Sequence, residues 1–345
     1  MMDIITHAIL AWVLARGFFS RRGWAVSAGM ILAGTLADFD GISAWFGAGA
    51  YLRWHGTYTH SLPGTLLFVA VGTIAALRWE KRDGSDDSAK QTRDWKKSSG
   101  IVLAMAIAVL AHLAMDLLQS FGVTLLSPFF GRRFALDILP GIDPWILALL
   151  ILGIVVPELF LLVGTEIGVR DKKPRGSTGA RVAMALILIY VAGRAVLHTN
   201  AITQLDAHAY KGETPRRVGA FADSLSVFTW HGIAETVSLM CMAEVEVGPG
   251  QVFDADAAYC QHKPDASDVL TTAEKTAAAQ QFLRVARFPK ATVEKREDGY
   301  EVQIRATQNE GESEIRQRVA ARILLDDKLR VIEDELVWSK DLGRR

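Results

Sequence analysis

The sequence lacks any excess of positive charge. Its 38 Lys and Arg residues balance 38 Asp and Glu residues, so the formal net charge is zero. Nucleic-acid binding gains much of its affinity when basic side chains neutralise phosphates, and we therefore expect no nucleic-acid partner. The net charge of zero is an average over two different parts of the chain. Apolar runs dominate roughly the first 200 residues, whereas charged and apolar residues alternate in the remainder.

Several signatures of other protein classes are also missing. The chain contains no glycine-rich phosphate loop and no internal repeat. It has no His-Glu-x-x-His sequence, which makes an intramembrane metalloprotease a weak alternative. His231 and Glu235 are four residues apart, but in a strand-like segment that spacing does not align them on one face. Polar residues in spans can mark an ion path, yet the absence of an inverted repeat argues against a transporter.

Cysteine is scarce. Cys241 and Cys260 are the only two, and both lie in the C-terminal part. In an oxidising compartment they would be able to form one disulfide, and otherwise they would be two small buried hydrophobic residues. The sequence leaves these alternatives open.

Long apolar runs are abundant. A helix needs roughly 20 mostly apolar residues to cross a membrane. Segments at about 24–47, 61–79, 100–118, 144–169 and 181–199 meet this requirement. The first segment, from Ile4 to Phe19, is shorter, but it lacks a basic start and reads as a mature helix rather than a secretory signal. We therefore predict a mainly α membrane protein, a polytopic bundle of about six spans over residues 1–200.

Residues 201–345 have the pattern of a soluble α+β domain. A helix is predicted from Thr271 to Phe288. Four strand-like runs follow it, namely Ala291–Lys295, Tyr300–Ala306, Ile315–Leu325 and Leu329–Trp338. Asp298-Gly299 between two of these runs predicts a hairpin.

Basic residues are distributed unevenly between the loops. Alternate loops hold fifteen Lys and Arg residues, whereas the opposite loops hold three, Arg53, Arg132 and Arg133. The positive-inside rule places the basic loops in the cytoplasm and both termini on the outer side of the membrane. This topology brings His7, the Asp38 and Asp40 pair, the loop from His55 to His60, and the end of the helix carrying His112 and Asp116 to one membrane face.

Two pairs of ionisable residues lie close to apolar helix ends. His112 and Asp116 are four residues apart, a spacing that puts both side chains on one helix face. They suit two ligands of one metal, and the alternative is a buried histidine bonded to its own helix. Asp38 and Asp40 repel one another unless a cation or proton relieves them, and the alternative is one solvated aspartate beside a helix-end hydrogen bond.

Three histidines complete the candidate set. His55 and His60 flank a short hydroxyl-rich loop before a span, where one imidazole can ligate a metal while the other moves protons. The alternative is an interfacial loop anchor. His7 alone would not indicate a metal site. It is a candidate ligand because of the other ionisable residues in the set. Ionisable groups at membrane depth are costly and usually mark a functional site.

The ordered series of motifs resembles a known family. It consists of Thr6-His7, Leu36-Ala-Asp38-Phe-Asp40, His55-Gly-Thr-Tyr-Thr-His60-Ser61, His112-Leu-Ala-Met-Asp116, the segment from Ser120, Arg132-Arg-Phe-Ala-Leu-Asp137 and Ile142-Asp-Pro144. Over roughly residues 1–170 it is similar to the LexA-binding, inner-membrane-associated hydrolases, also called membrane-bound metal-dependent hydrolases. One departure concerns an arginine that this family has after the first histidine of the His55 motif, where this chain has Gly56. Arg53, Arg132 or Arg133 would be able to substitute in holding an anion.

The resemblance implies a metal-dependent hydrolase. We expect metal ligands at His7, Asp38, Asp40, His60, His112 and Asp116, with His55 as proton shuttle or further ligand and Arg132 and Arg133 as anion clamps. Mixed histidine and carboxylate ligation suits Zn²⁺, with Mn²⁺ or Fe²⁺ as alternatives. Membrane lipid and a phosphate ester or phospholipid-type substrate are the expected partners. The rival hypothesis is a non-catalytic scaffold or regulator with a structural metal site and a protein partner at the C-terminal domain or the 80–99 loop.

Overall fold

The computed structural model describes residues 4–82, 95–166, 176–307 and 319–339. The N-terminal part is helical. Its helices are α1 (Ile4–Phe18), α2 (Trp24–Thr35), α3 (Ala48–Trp54), α4 (Leu62–Arg82), α5 (Trp95–Leu118), α6 (Pro144–Glu166) and α7 (Ser177–Asp206). A 3₁₀ helix, Leu36–Phe46, continues α2.

Within the described part, four helical stretches are long and apolar enough to cross a membrane: Trp24–Phe46, Leu62–Arg82, Ser98–Leu118 and Ser177–Asp206. Ile4–Phe18 and the part of α6 from Pro144 to Phe160 are shorter apolar helical stretches. A 15-residue helix such as α1 is about 22 Å long, which is less than a hydrocarbon core of about 30 Å. The count of six spans is therefore not confirmed, whereas four candidate spans are.

The helices pack through small side chains. Gly72 of α4 lies so close to α2 that a Cβ atom there would be 2.7 Å from the Cβ of Ala33. Such close approach is typical of helix contacts in membranes. Val13, Met30 and Met105, from α1, α2 and α5, are completely buried. Few residues are buried in the apolar windows of α4 and α7, 17% and 22% respectively, as expected of helices that face lipid.

Aromatic side chains lie at both ends of this helical part. At the end that carries Arg21 and Arg22, Trp24 stacks on Trp79 with ring centroids 6.1 Å apart. At the other end, Trp45 is 84% exposed and Phe129 is 80% exposed. Aromatic belts of this kind mark the two membrane–water interfaces.

The C-terminal domain consists of two four-stranded antiparallel sheets. The first contains β1 (Arg217–Ala222), β2 (Thr229–Glu235), β3 (Leu239–Glu246) and β4 (Tyr259–His262) in that order, and β1 and β2 contact the end of α7. The second contains β5 (Pro289–Arg296), β6 (Gly299–Ala306), β7 (Val319–Asp326) and β8 (Val331–Trp338). The domain boundary predicted at residue 200 lies within α7, which ends six residues later at Asp206.

The sequence predictions for this domain are met in part. The hairpin at Asp298-Gly299 is confirmed, since Arg296 pairs with Gly299 at the turn between β5 and β6. The prediction of a single helix from Thr271 to Phe288 is wrong. Two short helices, α8 (Asp268–Glu274) and α9 (Ala277–Leu283), take its place, because the Thr276 side chain caps a new helix by accepting a hydrogen bond from the amide of Ala279. Residues 315–318 of one predicted strand lie outside the described residues.

The two cysteines form a disulfide. Cys241 on β3 is directly opposite Cys260 on β4, and their Cα atoms are 4.0 Å apart. Of the two alternatives that the sequence left open, the structure contains the disulfide.

Arg194 connects α7 to the C-terminal domain. Its side chain is 1% exposed although it lies in an apolar helix. The guanidinium donates to the carbonyl oxygens of Ser226 at 3.0 Å and Val227 at 2.9 Å, and it lies over the Trp230 ring at 4.6 Å. An ionisable residue in a membrane span is by default a functional candidate. Here its partners are backbone carbonyls and an indole, which indicates a structural role.

Replacing Arg194 by Leu should destabilise the protein, because it leaves partly buried carbonyl groups without donors. We expect a cost of at least about 2 kcal/mol, measured as a lower thermal unfolding midpoint of the detergent-solubilised protein. Arg217→Leu is the matched control, since Arg217 is exposed on β1 and pairs with Glu235 at 2.8 Å. Equal midpoints for the two variants would contradict the assignment.

Candidate metal centre

The core of the site is a helical pair. His112 and Asp116 lie one turn apart on α5, and the Nε2 atom of His112 is 3.4 Å from Oδ2 of Asp116. His7 on α1 faces this pair. Its Nε2 atom is 3.4 Å from Oδ1 of Asp116, and its ring centroid is 3.9 Å from that of His112. Two helices that are distant in sequence thus bring two imidazoles to one carboxylate.

Asp38 supplies the fourth side chain from the point where α2 gives way to the 3₁₀ helix. Its Oδ2 atom is 4.0 Å from Nε2 of His7 and 3.8 Å from Nδ1 of His112. The four residues offer ligand atoms that all lie within 4.8 Å of one another, and all four are buried. Ligand atoms about 2.0–2.1 Å from a tetrahedral Zn²⁺ are about 3.3 Å apart, so a small contraction would complete such a shell.

The protein groups alone leave part of this cluster unsatisfied. His7 is 1% exposed, and neither of its ring nitrogens makes a hydrogen bond with any residue in the described ranges. Buried polar atoms of native proteins almost always have partners. The donor set therefore fits a divalent cation.

His60 adds a fifth side chain to the group. Its Nε2 atom lies 2.9 Å from Oδ2 of Asp116, 3.2 Å from Nε2 of His112 and 4.0 Å from Oδ1 of Asp38. Burial alone lowers the pKa of His60, but hydrogen bonds to Asp116 and Asp40 raise it to about 9. The carboxylates thus favour positive charge at this point, the same preference that a metal ion would satisfy.

Asp40, expected as a ligand, lies outside the four-residue group. Its carboxylate contacts Nδ1 of His55 and accepts hydrogen bonds from the Thr59 hydroxyl and, at 2.8 Å, from the Gly56 amide. Its Oδ2 atom is also 3.4 Å from Nδ1 of His60. Asp40 thus lies at the Nδ1 side of His60, whose Nε2 atom faces the four-residue group. A carboxylate in such a position orients an imidazole for metal ligation.

His55 lies next to the group and is completely buried. Its ring stacks on Tyr51 of α3, with centroids 4.8 Å apart and planes 15° from parallel. Its centroid is 6.0 Å from that of His60 and 5.8 Å from that of Phe121. This location suits a proton-transferring group beside a metal ligand.

Arg132 and Arg133 each lie over an aromatic ring. The Arg133 guanidinium lies over Phe121 at 4.0 Å, and its Nη2 atom donates to the His55 carbonyl at 3.4 Å. Gly56 has a φ of +67°, and a Cβ atom there would be 3.3 Å from Nη1 of Arg133. Arg133 therefore occupies the space beside the glycine that replaces an arginine of the family motif. Arg132 is exposed and lies over Phe134 at 5.5 Å.

Sequence reasoning overlooked two residues that support the site. Gln119, the first residue after α5, donates from Nε2 to Oδ1 of Asp116 at 3.3 Å, and its position three residues after Asp116 was an available signal. Tyr51 stacks on His55, and its place four residues earlier was a similar signal.

Apolar helices of spanning length with a buried histidine–aspartate group at one end define a helical membrane protein with a candidate metal centre. Comparison with known families gives the particular relationship. A family model described as YdjM inner membrane protein matches residues 2–201. The chain therefore belongs to the YdjM inner membrane protein family, and it is a membrane protein. Searches of curated proteins and of solved structures gave no significant match.

Metal content should follow the four-residue group. We expect the purified protein to hold a stoichiometric divalent metal, and Asp38→Ala and His112→Ala to lose it, as measured by plasma mass spectrometry. Asp40→Asn should still bind, about 10–100-fold more weakly, because it only orients imidazoles. Asp223→Ala, a carboxylate variant in the C-terminal domain, is the control and should keep the metal. Full metal content in Asp38→Ala and His112→Ala would contradict this geometry.

Proposed function

We propose that the protein is a membrane-embedded, metal-dependent hydrolase that acts on a phosphate ester or phospholipid-type substrate at the outer face of the inner membrane. The observation that carries the proposal is the buried group of His7, Asp38, His112 and Asp116 with His60 beside it. Five side chains exceed the four that a closed structural zinc site requires, and the Asp40–His55 pair lies next to them. This combination of ligands and a neighbouring acid–base group is typical of catalytic sites.

Each residue then has a definite role. His7, Asp38, His112, Asp116 and His60 would hold the ion, with Zn²⁺ the first candidate and Mn²⁺ or Fe²⁺ the alternatives. When bound, such an ion supplies a Lewis acid and a nucleophile at neutral pH. His55 would move the proton, since Asp40 holds its Nδ1 atom and Tyr51 fixes its ring plane. Asp40 itself would be a positioning residue.

The location at the outer face has two supports. The fifteen basic residues in alternate loops favour a cytoplasmic position for the helix ends opposite the site. The disulfide between Cys241 and Cys260 favours an oxidising compartment for the C-terminal domain. In this orientation both termini lie outside. Exposed Trp45 and Phe46 lie close in sequence to Asp38 and Asp40, so the site would be at the lipid–water boundary.

One observation favours the rival function, a scaffold or regulator with a structural metal. Asp116 is the most exposed of the four ligands, and it is only 5% exposed. Asp38 follows at 4%. Four buried protein ligands complete a tetrahedral shell without an exchangeable water. Partners would then bind the C-terminal domain or the 80–99 loop, of which residues 83–94 lie outside the described residues.

Chelation should abolish hydrolysis if the metal is catalytic. We expect the purified protein to cleave a phosphodiester or phospholipid substrate, to lose this activity with a chelator and to regain it with Zn²⁺. Asp38→Ala and His112→Ala should be inactive. If chelation lowers the unfolding midpoint but a broad panel of esters is never cleaved, the structural alternative is correct.

His55→Gln should separate catalysis from metal binding. Because His55 is assigned proton transfer and not ligation, the variant should keep its metal while kcat falls by about 10²–10⁴-fold. Steady-state kinetics and metal analysis of the same sample provide the measurement. Tyr51→Phe is the control. This variant keeps the ring that stacks on His55, so its kcat should fall far less. A His55→Gln variant with unchanged kcat would exclude His55 from the reaction.

A further inference from the structure

A cavity of about 560 Å³ lies between the helical part and the C-terminal domain. One wall is formed by Leu117 near the end of α5 and by the loop that follows, including residues 132–136. The opposite wall is formed by residues 284–287, between α9 and β5. Both parts of the chain are therefore needed to make it.

Arginine dominates the polar lining of this cavity. Arg132 and Arg133 line one wall, and Arg284 and Arg287 line the other. Among the described residues that line it there is no Asp or Glu. The adjacent carboxylate of Asp137 is paired with Arg287, whose Nη1 atom lies 2.6 and 2.7 Å from its two oxygens. Four guanidinium groups against this one carboxylate leave a formal excess of three positive charges.

Aromatic rings hold three of these guanidinium groups in place. Arg133 lies 4.0 Å from the ring centroid of Phe121, Arg132 lies 5.5 Å from that of Phe134, and Arg287 lies 5.7 Å from that of Phe221. A guanidinium group beside a ring can still donate from its N–H groups to a phosphate in pairs. The rings therefore limit the positions that these cations can take.

The rest of the lining is apolar. Leu117, Leu125 and Val285 contribute to the same cavity. Phe129 and Phe130, on the loop that forms one wall, are 80% and 66% exposed and belong to the aromatic group at the membrane interface. A pocket with convergent cations and apolar walls at this level fits an anion attached to an acyl chain.

The cavity shares a wall with the candidate metal centre. Phe121 and Arg133 line the cavity, and the same two side chains contact Gly56 and the His55 backbone or ring. A ligand in the cavity would be separated from His55 by one layer of side chains.

We propose that this cavity binds a phosphate group carried by a lipid, with Arg132 from the membrane part and Arg284 from the C-terminal domain as opposed contacts. The excess of three positive charges matches a doubly charged phosphate better than a single carboxylate, and guanidinium groups bind phosphate oxygens in pairs. This assignment adds a substrate site to the proposed function, and it rests on that function for the hydrolysis of the bound lipid. Binding itself requires no hydrolysis.

Lipid binding to the full chain in detergent tests the assignment. Dioleoyl phosphatidic acid is titrated, and the bound fraction is read by native mass spectrometry. We expect Arg132→Gln and Arg284→Gln each to weaken binding about tenfold, as the loss of a charge-assisted contact implies. Arg305→Gln on β6 is the matched control, because this exposed arginine is outside the cavity and bonds Gln303. Equal affinity in Arg284→Gln and wild type would overturn the assignment.

Two further measurements identify the chemical group that the cavity recognises. Displacement of the lipid by inorganic phosphate at constant ionic strength supports recognition of the phosphate group itself. Binding of dioleoylglycerol, which has the same acyl chains and no phosphate, as tightly as phosphatidic acid would overturn it. His112→Ala should lose metal and hydrolysis and yet keep its affinity for phosphatidic acid. Binding without hydrolysis in the wild type would therefore count against the proposed function alone.

Discussion

The structure depends on the burial of two carboxylates among imidazoles. Asp38 and Asp116 are almost inaccessible to solvent, and a buried charge without compensation is strongly destabilising. His7, His60 and His112 surround them and come from three separate segments of the chain. One divalent cation would neutralise both carboxylates. It would also bind α1, the junction after α2, and α5 to each other at one point.

The C-terminal domain takes part in this arrangement through α3. Tyr51 of α3 stacks on His55 on one side and lies 5.6 Å from Trp338 of β8 on the other. Gln281 of α9 donates from Nε2 to the Gly49 carbonyl at 2.9 Å. The loop that carries His55 and His60 is therefore held between the membrane helices and the second sheet. The arginines of the cavity extend the same junction, since two of them come from each part.

Much of the site follows from spacing in the sequence. His112 and Asp116 had to share a helix face, and the apolar runs with asymmetric basic loops brought the other histidines to the same end of the bundle. Asp38 and Asp40 were not distinguishable in this way. A 3₁₀ helix turns about 120° per residue, so side chains two residues apart point about 120° away from each other, one toward the helix bundle and one toward the His55 loop. The sequence did not reveal that α2 changes to this geometry at Leu36.

The contacts that sequence could not predict are non-local. Segments far apart in the chain are joined where α3 contacts β8, where Arg194 contacts Trp230, and where Arg132 and Arg284 line one cavity. No local pattern encodes these contacts. The break between α8 and α9 is a local feature, but it depended on a single capping threonine inside an otherwise helical pattern. The predicted count of six spans is not confirmed, because α1 is shorter than the hydrocarbon core is thick.

An anomalous-scattering experiment on crystals of the metal-loaded protein tests the central claim most directly. The account predicts an anomalous peak among His7, Asp38, His112 and Asp116, about 2.0–2.2 Å from their ligand atoms, with His60 at its edge and Asp40 outside it. A map without a peak there, with these side chains turned toward separate hydrogen-bond partners, would contradict it.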